Sequence, residues 1–134
     1  MKEKHELVKG WLFKADHDLE MAVLALEHKP GLVDAICFHC QQAVEKHPKA
    51  LLVSWDIEFE KSHSLGYLLD LLNDEEEISD AFYGMLEKLE DYAVDIRYPD
   101  EHFEITPEDA REACEIAKLT KEFVLDRIDR QKSS

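Results

Sequence analysis

AICFHCQQAVEKHPKALLVSW, residues 35–55, is the stretch whose reading decides the fold. It holds Cys37-Phe38-His39-Cys40, the C-x-x-C spacing of redox and zinc sites, and a proline at position 48. As a strand-to-helix turn it would point to a thioredoxin-like protein, and with a second ligand pair to a zinc site. The apolar pattern says otherwise. Ile36, Cys40, Ala43, His47 and Leu51 recur at three- and four-residue intervals, which is one face of a helix. No second ligand pair exists, so Cys37 and Cys40 read as helix-packing residues; a buried free cysteine behaves as a small hydrophobe. Pro48 removes one helical hydrogen bond and crowds the preceding turn at a cost of ~3 kcal/mol. The helix, from about Val33 to Trp55, is therefore expected to be kinked or split there.

The same period extends in both directions. Before this stretch, Val8, Trp11, Ala15, Leu19, Ala22 and Leu26 form a stripe that stops at Lys29-Pro30-Gly31, a plain helix end. After it, 56–61 reads as a loop. Ser62 is the expected cap of a short helix from Leu65 to Leu72, with His63 read as helping the cap and, as the alternative, as facing a binding cleft. The acidic residues 73–77 read as a solvated turn. A fourth helix is expected from about Ile78 to Ile96, carrying Phe82, Leu86, Leu89, Ala93 and Ile96. The last begins at Thr106-Pro107-Glu108-Asp109: a capping residue, a proline at the first helical position, then acids that suit the helix dipole. It should fray from about Gln131. Together these predict an all-α fold, a single up-and-down bundle of about five helices in one domain spanning residues 1–134.

Composition narrows the function. A chain of 134 residues can bury roughly 65–70% of its unfolded surface, so neither disulfide nor metal is needed to hold it together. Its 31 acidic and 16 Lys/Arg residues give a net charge of −15, which argues against indiscriminate nucleic-acid binding. Any RNA-facing site must be a few basic residues focused in a groove. There is no apolar run of membrane-spanning length and no signal-peptide pattern, so a cytoplasmic protein without membrane contact is expected. The four glycines make no phosphate-binding loop, and G-x-S-x-G and H-E-x-x-H are absent. No Glu has a His three residues on within a helix interior, so a carboxylate-bridged metal pair is not expected. His5, His17, His28, His39 and His47 read as surface or helix-flank residues. Gln42 and Lys46, i, i+4 neighbours, either line a binding cleft or pair with surface acids such as Glu45, and the pairing is the expectation.

One stretch carries chemistry: DIRYPDEH, residues 95–102. An arginine at a helix end gains ~0.3–1 kcal/mol from the dipole, and Tyr-Pro-Asp is good turn chemistry. That accounts for Arg97, Pro99 and Asp100, but not for His102. If the chain turns back through Pro99, Arg97 and His102 can point into one cleft. A guanidinium there can grip a phosphate and stabilise charge developing on it. Imidazole, titrating near neutrality, can take a proton from a ribose 2′-hydroxyl or give one to a leaving 5′-oxygen. Asp95 either orients the guanidinium or is a solvated acid; Tyr92 reads as packing.

With these residues in place the chain resembles the HEPN domain family, almost end to end. Four stretches carry the likeness: Ala15-Asp16-His17-Asp18-Leu19 with Ala22; Cys37 through Lys46 with Lys49-Ala50-Leu51-Leu52; Lys61-Ser62-His63-Ser64-Leu65; and Tyr92 through Asp100. The resemblance implies an all-helical fold. It also implies a metal-independent ribonuclease site, because many members carry an arginine, four to six residues, and a histidine; Arg97 and His102 fit with four between. It further implies a homodimer with the pair in a cleft at the interface, no cofactor, and a minimal nucleotidyltransferase as partner in a toxin–antitoxin pair. Tyr98 and Glu104 depart from the active nucleases and from the members whose tyrosine is modified. A second reading therefore stays open: a non-catalytic nucleotide-binding or adaptor module, with Arg97, Tyr98, Asp95 and Tyr92 around the nucleotide or RNA.

Overall fold

The structure, a computed structural model, describes residues 2–97 and 105–133. Five helices follow in the expected order: α1 (Lys2–His28), α2 (Val33–Ser54), α3 (Leu65–Asn73), α4 (Asp80–Arg97) and α5 (Pro107–Ser133). No strand occurs among the described residues. The fold is all-α, as the periodicity requires.

α2 organises the core because it touches each of the other four helices. Its Ile36, Val44, Leu51 and Leu52 are fully buried, and they meet Leu65, Leu68 and Leu72 of α3, Leu86 and Leu89 of α4, and Val124 of α5. Each such side chain contributes roughly 1.5–3 kcal/mol relative to exposure. Small residues let α5 come close: Cys40 Sγ lies 3.6 Å from Cys114 Sγ, with Ala43, Ala113 and Ala117 buried alongside. The C-x-x-C unit is thus packing, as expected. Burial pushes the Cys37 thiol up to about 12, far from the thiolate that redox or metal chemistry needs.

α2 runs unbroken through Pro48, so of the two expected alternatives, a kink or a split, the split does not occur. The residues on both sides of it, 47 and 49–52, are buried, and this packing offsets the hydrogen bond that proline cannot make. α2 stops in a Schellman turn, with Ile57 N–H donating to Leu52 O and Asp56 N–H to Val53 O. Asp56 takes the left-handed position at φ 61°. Its carboxylate accepts from Lys4 Nζ at 3.0 Å.

Side-chain pairings set the helix directions. Asp18 meets His39 and Lys46 while Lys4 meets Asp56, so α1 and α2 are antiparallel. Cys40 pairs with Cys114 and Ser54 with Gln131, so α2 and α5 run parallel. Tyr92 reaches Asp109 and Phe82 packs on Phe123, so α4 opposes α5. The four long helices therefore alternate up and down. Short α3 opposes α4, since Leu65 pairs with Glu90 and Asp70 with Tyr83. The segment 55–64 consequently returns along α2 before α3 begins.

Three local expectations are corrected. The cap of α3 is Ser64, whose Oγ accepts from Tyr67 N–H at 3.2 Å; Ser62 instead accepts from Ser64 N–H, and His63 turns to α2. His47 is wholly buried, with Nε2 3.1 Å from Asp16 Oδ1, and is no surface residue. α5 continues to Ser133 without fraying at Gln131, whose Nε2 donates to Ser54 O at 2.9 Å.

Candidate functional site

Arg97 is the last residue of α4, and α5 starts at Pro107. A reciprocal capping box fixes the second edge of this connection. Thr106 N–H donates to Asp109 Oδ2 at 3.0 Å, and Asp109 N–H donates to Thr106 Oγ1 at 3.2 Å. Tyr98 and His102 lie outside the described residues, as do the side chains of Asp95 and Arg97, whose backbone belongs to α4. Tyr92 is described. It is nearly buried, and its hydroxyl donates to Asp109 at 3.4 Å and Glu112 at 3.3 Å. Burial and these two carboxylates push its phenol well above the ordinary range, so it stays a neutral donor. Tyr92 thereby ties the end of α4 to the start of α5, beside the Lys88–Glu112 pair.

A polar group that the sequence reading did not assemble lies one layer inward. Glu45 is buried on α2, and its Oε1 accepts from Lys49 Nζ at 3.0 Å and faces His63 Nδ1 at 2.7 Å. Its Oε2 has no hydrogen-bond partner among the described residues. Lys49 is itself buried, with its ammonium 5.2 Å from the Trp11 ring centroid and 5.9 Å from that of Phe59. His63 is the opposite case, with its side chain 84% exposed. Two residues on, Leu65 N–H donates to Glu90 of α4. Glu45 is thus not the surface acid expected for Lys46. Lys46 instead donates to Asp18 Oδ2 at 2.5 Å, and His39 meets the same carboxylate at 3.0 Å. A signal for Glu45 was present in the sequence: it stands eight residues after Cys37 and seven before Leu52, on one helical face.

The α1–α2 seam repeats this logic with Asp16, which takes His47 at 3.1 Å and Lys121 of α5 at 3.0 Å. Basic side chains gather elsewhere. A cavity of about 240 Å³ at the opposite end of the bundle from Arg97 is lined by Lys4, His5, Lys9 and Lys132, with Val8, Leu12 and Ile128. Among the described residues no group of His, Cys, Asp and Glu is arranged to hold a metal ion. No helix there is long and apolar enough to cross a membrane.

This all-helical bundle, with an arginine closing its fourth helix, defines the class. Residues 8–128 match the family model of the HEPN domain, and the chain belongs to that family. "Putative toxin MJ1304" of Methanocaldococcus jannaschii is 32% identical over 135 residues, covering 88% of this chain and 86% of its own. Among solved structures, TT1696 from Thermus thermophilus aligns with a TM-score of 0.75 at 29% identity, over 90% of this chain and 97% of its own. ST0689, described as an archaeal HEPN homologue, aligns with a TM-score of 0.65 at 28% identity over the same shares.

Proposed function

We propose that the protein is a metal-independent endoribonuclease of the toxin type, acting through Arg97 and His102. The observation that carries this reading is the position of Arg97 at the last residue of α4, in a HEPN chain whose capping box marks where α5 takes over. The seven-residue span between Arg97 and Ile105 then carries His102. Arg97 grips the scissile phosphate, and His102 moves a proton at the ribose or at the leaving oxygen. The likeness to the M. jannaschii protein named "Putative toxin MJ1304" supports the toxin part. Two copies facing each other would bring two such pairs together, with a minimal nucleotidyltransferase as the partner that restrains them.

The test is cleavage of a varied RNA pool by the purified protein in EDTA. Cleavage is expected in the wild type and should fall at least ~10²-fold in His102→Ala. RNA left intact by the wild type, or cut equally well by the variant, sinks the reading. The net charge of −15 favours a second one, a module that binds a single nucleotide phosphate through Arg97 without cutting RNA. Calorimetric binding of a nucleotide that is lost in Arg97→Ala, in a protein inert toward RNA, is the result that selects it.

A further inference from the structure

We propose that the cavity between the start of α1 and the end of α5 binds a small organic phosphate, a phosphate monoester with an apolar body. The site lies at the far end of the bundle from Arg97 and does not depend on the ribonuclease reading.

Two helical rows build the lining. On α1, Lys4, Val8 and Leu12 recur every four residues, with His5 and Lys9 one position round the helix. On α5, Ile128, Gln131 and Lys132 stand at three- and four-residue spacing. The two helices are antiparallel, since α1 opposes α2 and α2 runs with α5. His5 comes eleven residues before Asp16 and Lys132 eleven after Lys121, and Asp16 pairs with Lys121 at 3.0 Å. His5 and Lys132 therefore reach the same level. α2 ends at Ser54, whose carbonyl accepts from Gln131 Nε2 at 2.9 Å, and the cavity opens where that helix stops.

Floor and rim differ in chemistry. Ile128 is buried, and Val8 and Leu12 pack against the core, so the floor is apolar. The rim is cationic: Lys4, His5, Lys9 and Lys132 line it, and no Asp or Glu does. In a chain with 31 acids against 16 Lys and Arg, this is a local reversal of the field, and a concave apolar wall focuses it. Lys4 is already matched by Asp56 at 3.0 Å. Lys9 and Lys132 have neither an ion pair nor a hydrogen bond among the described residues.

Those two unmatched ammonium groups choose the ligand's head. A phosphate monoester carries close to two negative charges at neutral pH and balances both, whereas a carboxylate balances one. Ammonium groups act as point charges without arginine's planar fork, which suits a tetrahedral anion, and His5 adds a ring N–H donor. Size chooses the body. About 240 Å³ falls below the ~300 Å³ at which pockets begin to enclose drug-sized ligands. One ring or a short chain fits on the apolar floor; a base, a sugar and a phosphate together do not.

The experiment is a calorimetric titration of the full chain with phenyl phosphate at about pH 7.5 and constant ionic strength, so that general screening cannot mimic binding. Inorganic phosphate and benzoate are the comparisons. Phenyl phosphate should bind at least ~10-fold more tightly than inorganic phosphate, which has no body to lay on the floor. It should also bind more tightly than benzoate, which has one charge fewer. Lys9 and Lys132 are exposed, so Lys9→Gln and Lys132→Gln should fold normally, and each should weaken binding about 3–10-fold. Phenyl phosphate that does not bind at millimolar concentration overturns the proposal. So does inorganic phosphate or benzoate binding as tightly, or affinity unchanged in both lysine variants.

Discussion

At the residue scale, burial decides what a titratable side chain does in this protein. His47 and His63 have the same chemistry and opposite surroundings. His47 lies wholly inside, and burial holds its imidazole below the ordinary value; Asp16 pulls the other way but does not win, and Lys121 adds to the lowering. The folded state therefore binds fewer protons at His47 than the unfolded chain does, so acid favours unfolding. Stability from this group is fully present above the unfolded value near pH 6.5 and is lost as pH falls below it. Urea denaturation between about pH 7.5 and 5.5 should show a falling midpoint, with part of that fall missing in His47→Leu. Equal pH dependence in the two proteins would remove His47 as the cause. The burial of His47 was not legible from a lone histidine in the sequence, because it depends on what α1 and α5 place over it.

At the scale of the element, helix ends carry the information that periodicity lacks. Lys29-Pro30-Gly31 and Thr106-Pro107 could be read directly because those residue types have few other uses. The end of α2 could not, since its left-handed position holds an aspartate where glycine is usual. Asp56→Gly should relieve that backbone strain and raise stability by about 0.5–1 kcal/mol, whereas Asp56→Ala should lower it. The lost pair with Lys4 subtracts little, because Asp56 is largely exposed. Urea midpoints for the two variants check the signs, and a loss in both would show that the Lys4 pair dominates. Pro48 teaches the same lesson in reverse. Its local penalty is real, yet a helix packed on every side keeps going.

At the scale of the molecule, charge and packing pull apart. The core is ordinary in its leucines and alanines, but the surface carries a net charge of −15. Most surface ion pairs are worth little, so unscreened repulsion should prevail at low salt. Raising sodium chloride from about 0.02 to 0.5 M should therefore raise the melting temperature by a few degrees. A decrease would mean that the seams built on Asp16 and Asp18 outweigh the repulsion. On the proposed reading, an acidic exterior would leave phosphate to be drawn by a few focused cations and not by the surface at large.

The sequence by itself determined the all-helical fold, the order of the five helices, the packing role of Cys37 and Cys40, and the family that the chain resembles. Each of these rests on local periodicity or on residue types with few alternative uses. Only the tertiary structure decided that His47 is interior, that α2 passes through Pro48, that Ser64 caps α3, and that Glu45, Lys49 and His63 meet. Glu45 and His63 are eighteen residues apart. Their contact exists because the segment 55–64 doubles back along α2 and Glu90 fixes where α3 begins. No periodicity within one helix encodes such a meeting, since it depends on how separate helices pack.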